Sequence, residues 1–102
     1  MHILNIVTTI KKKDQISIDE LEKKITHSKY LAKNAGSCKV INADILKNLL
    51  TSRIEVRFKF QTFNNNMDEA EKKVKETVYG LFKEIGINQE HLIVDDAVFD
   101  LD

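Results

Sequence analysis

The sequence predicts an α+β domain in which four strands and two helices follow one another as strand, helix, strand, strand, helix, strand. Three observations carry that expectation: a two-residue hydrophobic alternation over residues 53–63, an apolar stripe at helical spacing between Asn66 and Gly86, and a helix-start signature at Ser17. At 102 residues the chain is read as a single domain, 1–102, with one core, because two domains of half that length would each bury too little apolar surface.

The first strand is expected over residues 2–10, where Leu4, Ile6, Thr8 and Ile10 alternate with Asn5, Val7 and Thr9. Ser17 stands three residues before Glu20, the spacing at which the two side chains satisfy each other's unpaired backbone amides at a helix start. From there Ile18, Leu21, Ile25, Leu31, Ala32 and Ala35 keep to one helical face as far as Gly36. Thr26, His27 and Ser28 are poor helix formers and mark a place where that helix can break. Over residues 53–63, Ile54, Val56, Phe58 and Phe60 point one way while Arg53, Glu55, Arg57, Lys59 and Gln61 point the other. Three asparagines follow as a turn. Asn66 and Glu69 repeat the capping pattern, and Met67, Ala70, Val74, Thr77, Val78, Leu81 and Ile85 form the stripe of the second helix. Residues 92–101, rich in β-branched and aromatic side chains, are expected to close the chain as a strand.

Residues 38–52 support two readings and a compromise between them, a short strand at 38–41 followed by a helical turn or two before the long strand. Cys38 to Ile45 can pair as a strand with the 53–63 segment, which completes the order of a ferredoxin-like βαββαβ sandwich: a four-stranded antiparallel sheet with two helices on one face. That is the preferred architecture. Yet Asn42 is a good cap, and Ile45, Leu46, Leu49 and Leu50 recur at helical spacing, so a short extra helix at 43–51 is the competing assignment.

The chain is formally neutral, with 16 basic and 16 acidic residues, but its charge is uneven. Residues 1–51 sum to +4 and residues 52–102 to −4; Lys29 to Lys59 carries seven positive and two negative charges, and the last fifteen residues carry five negative charges and no Lys or Arg. Both stretches are candidate contact surfaces. A single cysteine, Cys38, cannot close a disulfide within the chain, and no long apolar run or signal-like start is present. A cytoplasmic protein without a membrane partner is therefore expected. Fourteen Lys against two Arg, and 34 residues of Ile, Lys and Asn, suggest AT-rich coding and hence a low-GC bacterium or one of its mobile elements.

No motif for catalysis or a cofactor stands out. His2, His27 and His91 lie in different segments, none at a metal-ligand spacing from another donor, and the three glycines form no phosphate loop. No catalytic residue, metal site or cofactor is assigned, and the chain is read as a non-enzyme. Asp95 and Asp96 are adjacent, so within a strand they would face opposite sides of the sheet and could not work as an acid and base pair. With Asp100 they read instead as an acidic edge that discourages strand pairing.

Residues 31–46, Leu-Ala-Lys-Asn-Ala-Gly-Ser-Cys-Lys-Val-Ile-Asn-Ala-Asp-Ile-Leu, resemble the helix–turn–helix stretch of bacterial repressors, with Ala32 at the helix crossing and Gly36 in the turn. Ser37 and Asn42 depart from the pattern, since both places usually hold apolar residues. The resemblance implies a DNA-binding regulator using residues 29–47, in which Lys39, Asn42 and Lys47 face the major groove and Lys29 and Lys33 lie near phosphates. Arg57 and Lys59 on the long strand are further candidates for phosphate contact. A helix that ends at Gly36 before a strand explains the same residues and is preferred.

The leading functional expectation is thus a small non-enzymatic protein-binding module, an accessory or inhibitor protein of a bacterial mobile element or phage. Tyr79 and Phe82, three apart on the second helix, lie off or at the edge of its core stripe and are candidate interface anchors together with the acidic Asp95, Asp96 and Asp100, although a helix buried over a wider face explains the two aromatics equally well. Phe63 and Tyr30 are aromatics of the same kind. The dipolar charge and open sheet edges also suggest a homodimer.

Overall fold

The computed structural model describes residues 2–11, 17–28 and 38–100, with the side chains of Cys38 and Lys39 excepted. It is α+β, an open antiparallel sheet of five strands with two helices among the described residues. In chain order the elements are β1 (His2–Ile10), α1 (Ile18–Thr26), β2 (Cys38–Lys47), β3 (Ile54–Thr62), α2 (Met67–Glu84), a 3₁₀ turn at Gln89–His91, β4 (Leu92–Val94) and β5 (Val98–Asp100).

The sheet order is β2-β3-β1-β4, and β5 also pairs with β1. The central pair β1 and β3 runs antiparallel over nine residues, His2 opposite Thr62 through Ile10 opposite Ile54. That register brings Leu4 beside Phe60, Ile6 beside Phe58 and Thr8 beside Val56, all on the buried face. A shift by one residue would turn this apolar set to solvent, so the alternation fixes the pairing. Val40, Ala43 and Ile45 of β2 reach the same face only because the register shifts between Val40 and Asn42, with Ile41 as the unpaired residue.

Both helices cover that face. Leu21 and Ile25 of α1 and Ala70, Val74, Val78, Leu81 and Phe82 of α2 join the strand residues in one apolar cluster. Phe58 packs at 6.0 Å, edge to face, on Phe82 and at 5.9 Å on Phe60, the tilted geometries that aromatic quadrupoles favour. The caps are those expected: Ser17 Oγ accepts from the Glu20 N–H, and Asn66 Oδ1 accepts from the Glu69 N–H. Gly86, at φ +92°, supplies the left-handed residue after α2.

Several expectations are corrected. The final strand is two strands, separated by Asp95–Ala97, so the sheet has five rather than four. No helix forms at 43–51: residues 38–47 are β2, and residues 48–53 turn the chain into β3. Cross-strand pairing along the whole of β2 prevails over a helical spacing that Leu46, Leu49 and Leu50 would have had to bury. The second helix required by the helix–turn–helix resemblance is likewise replaced by β2. The described part of α1 ends at Thr26, at the weak Thr-His-Ser stretch; the expected continuation from Lys29 to Gly36 lies outside the described residues.

Candidate interaction surface

The β2–β3 hairpin ends in a loop whose backbone is held at several points. The Asn48 N–H donates to the Arg53 carbonyl (2.8 Å), closing the neck, and the Ser52 N–H donates to the Asn48 carbonyl (2.8 Å). Asn48 Oδ1 accepts from the N–H groups of Leu50 (2.9 Å) and Thr51 (3.2 Å), while its Nδ2 donates to Glu55 Oε1 on β3 (3.1 Å). The Arg53 N–H donates to Thr51 Oγ1 (3.3 Å). Asparagine suits this place because its short amide can bond the backbone two and three residues on. Ser52 adopts φ +59°, and it is the non-glycine residue with positive φ among those described. L-residues avoid that region, so the loop keeps one strained residue in order to hold its shape.

This loop presents Leu49 and Leu50 to solvent, at 90% and 96% exposure. Lys47, exposed, and Arg53, half-buried, flank them, and neither makes an ion pair among the described residues. Leu46 is also exposed, on the outer sheet face, in the cross-strand row Leu46, Glu55, Thr9, Ile93. The sequence reading missed the tip because it considered Leu49 and Leu50 only as part of the competing helix at 43–51 and gave them no place in the preferred strand pairing. The signal was present all the same: once 38–47 and 53–63 pair as strands, the Asn-Leu-Leu-Thr-Ser between them must be a loop with no core to enter.

The residues singled out from sequence fall in different places. Phe82, expected as an interface anchor, is fully buried, because α2 lies on the sheet over a wider face than a single stripe; this expectation is corrected. Tyr79 is half-buried against the same cluster. Asp95 and Asp96 lie in the connection between β4 and β5, not in a strand, and with Asp100 they are exposed. Asp96 Oδ1 bonds Lys75 Nζ at 2.9 Å, Glu71 stands 3.4 Å from the same ammonium, and Asp100 Oδ1 accepts from Asn5 Nδ2. The hydrogen bond to Asp96, aided by the charges of Asp96 and Glu71, holds Lys75 above the usual lysine value of 10.5.

Asn42, Arg57 and Lys59 meet on the outer face of the sheet, where Asn42 is opposite Lys59 and Asp44 opposite Arg57. They line a shallow depression with Asn5 and Val7. The cations there are interleaved with carboxylates, since Glu55 lies 3.9 Å from Arg57 and Asp44 accepts from Asn42 Nδ2 (3.3 Å). Lys47 belongs to the hairpin end instead. Lys29, Lys33 and Tyr30, and the side chain of Lys39, lie outside the described residues. Among the described residues no three His, Cys, Asp or Glu side chains are grouped to hold a metal ion, and no helix is long and apolar enough to cross a membrane. No known protein family, curated protein or solved structure matches the chain.

Proposed function

We propose that this chain is a small non-enzymatic module that acts by binding another protein, and that the β2–β3 hairpin tip is its docking element. One observation carries the reading: two adjacent leucines are almost wholly exposed on a loop whose conformation is fixed from within by Asn48. The leucines contribute little to the fold, whereas burying each against a partner is worth roughly 1.5–3 kcal/mol. A loop already in shape loses little entropy on binding, so most of that gain is available as affinity.

The finer fold assignment belongs with this reading. We take β4 and β5 as one edge strand of a ferredoxin-like βαββαβ sandwich, interrupted by a bulge. Both pair antiparallel with β1, and between the pairs Thr8–Val94 and Asn5–Val98 the edge chain advances four residues while β1 advances three. One extra residue is the count of a β-bulge, which blunts an edge against unwanted pairing. In that arrangement the hairpin tip and outer sheet face are left for a partner. Action in the cytoplasm is proposed with it, on the argument of the lone cysteine.

The test is affinity capture from a lysate of the source cells with the wild-type chain and with Leu50→Asp, after checking that the two melt alike. The reading expects a protein retained by the wild type and released by the variant. Equal retention by both would refute the tip as docking element. Binding of a random DNA duplex that weakens steeply with salt would favour the regulator alternative, with Arg57 and Lys59 on phosphates.

A further inference from the structure

The charge around the tip narrows the kind of partner. Between Asp44 and Glu55 the sequence holds no carboxylate, while Lys47 and Arg53 stand on either side of the two leucines. The neck bond between Asn48 and Arg53 places those cations at the base of the loop, Lys47 at the end of β2 and Arg53 just before β3. The carboxylates behind them are already engaged: Glu55 by the Asn48 amide and Arg57, Asp44 by the Asn42 amide. Lys47 and Arg53, by contrast, have no ion-pair partner among the described residues. The tip is therefore an apolar point within a positive collar.

Building on the proposed protein-binding role, we infer that the partner is a protein presenting an apolar cleft rimmed by carboxylates, which takes Leu49 and Leu50 inside and meets Lys47 and Arg53 at its edge. Burial of the leucines sets the lifetime of such a complex, and complementary rim charge sets how fast it forms. A second copy of this chain fits poorly. Two tips would bring four cations together, and the groove along α2, with Asp68, Glu71 and Glu76, also carries Lys72 and Lys75. A nucleic acid would match the cations but leave the leucines without a role. An anionic bilayer would accept both, but two leucines and two cations are a smaller footprint than stable surface binding requires.

The experiment places benzoylphenylalanine at position 50 and irradiates the full chain in a lysate of the source cells; the captured protein is then purified and its binding kinetics followed against ionic strength. The inference expects an association rate that falls with added salt and drops about tenfold or more in the Lys47→Glu, Arg53→Glu double variant. It also expects dissociation about 10- to 100-fold faster in Leu50→Ala, with association little changed. Leucine-dependent binding whose association rate ignores salt and the double variant would overturn the acidic rim and leave the docking role standing. Cross-linking only to a second copy, no protein captured at position 50, or leucine-dependent adsorption to phosphatidylserine vesicles in place of a protein would overturn both.

Discussion

Replacing Asn48 by alanine tests whether the tip is held by its own side chain or merely carried by the hairpin. The substitution removes three hydrogen bonds, two accepted by Oδ1 from the Leu50 and Thr51 amides and one donated by Nδ2 to Glu55. A typical protein hydrogen bond is worth about 0.5–1.5 kcal/mol net, and the Leu50 and Thr51 amides can turn to water once the loop loosens. The lower end applies, and Asn48→Ala is expected to cost about 1–2 kcal/mol. For a domain of this length that corresponds to a melting point roughly 5–15 °C lower. Leu50→Ala removes the same number of non-hydrogen atoms, yet from a side chain 96% exposed, and is expected to change stability by less than about 0.5 kcal/mol. Thermal and urea unfolding followed by circular dichroism measure both, and amide hydrogen exchange adds a local check, since the Leu50 and Thr51 amides should exchange faster in Asn48→Ala. Should Asn48→Ala unfold within about 0.5 kcal/mol of the wild type with unchanged exchange at those amides, the claim that Asn48 organises the loop is refuted.

Five further substitutions test single sites. Thr8 is fully buried and its hydroxyl has no hydrogen-bond partner among the described residues, so Thr8→Val should raise stability by about 1 kcal/mol in urea titration, whereas Thr62→Val, which loses the acceptor of the Asn64 N–H, should lower it by a similar amount. The left-handed positions give opposite signs: Ser52→Gly relieves φ +59° and should be neutral to about 1 kcal/mol stabilising, while Gly86→Ala, at φ +92° with open space around the new methyl, should cost about 1 kcal/mol through backbone strain alone. Lys75 is held above the ordinary lysine value by Asp96, so this contribution is complete below pH 10.5 and is lost as pH rises through the elevated value. Because Asp96 is largely exposed, Asp96→Asn should cost less than about 1 kcal/mol at neutral pH, and its unfolding curve should converge on the wild type's in strong base.

How far the sequence was legible depended on how local each element's cause is. β3 and α2 were readable because their periods, two and 3.6, are carried by their own side chains, and Ser17 and Asn66 declared the helix starts. β2 was readable only as the preferred of rival assignments, because Ile45, Leu46, Leu49 and Leu50 satisfy a helical spacing as well; what decides is pairing with β3, a contact of the whole chain. The end of the chain was read as one strand because residues 92–101 are rich in β-branched and aromatic side chains, yet the edge breaks at Asp95–Ala97, where Asp96 bonds Lys75 on α2. Phe82 stood evenly between an exposed anchor and a wider buried helix face, because a helical stripe drawn from sequence does not fix its own width. Its partner Phe58, on another element, makes the stripe wide enough to include it. The tip leucines went unrecognised because the same helical spacing offered them a place in the rival helix.

The division of labour along β3 explains how an exposed loop can be stiff without apolar support of its own. Val56, Phe58 and Phe60 are buried in the apolar cluster that the sheet forms with both helices, which anchors β3 in the core. Glu55, one residue nearer the loop, takes the Asn48 amide, and Asn48 in turn fixes the amides of Leu50 and Thr51. Stiffness is thus passed from the core to the tip through hydrogen bonds, and none of it depends on where the leucine side chains go. The leucines are free to be chosen for a partner, and Asn48 is not. Substitutions at Leu49 and Leu50 should therefore alter binding without touching the fold, while those at Asn48 should disturb both.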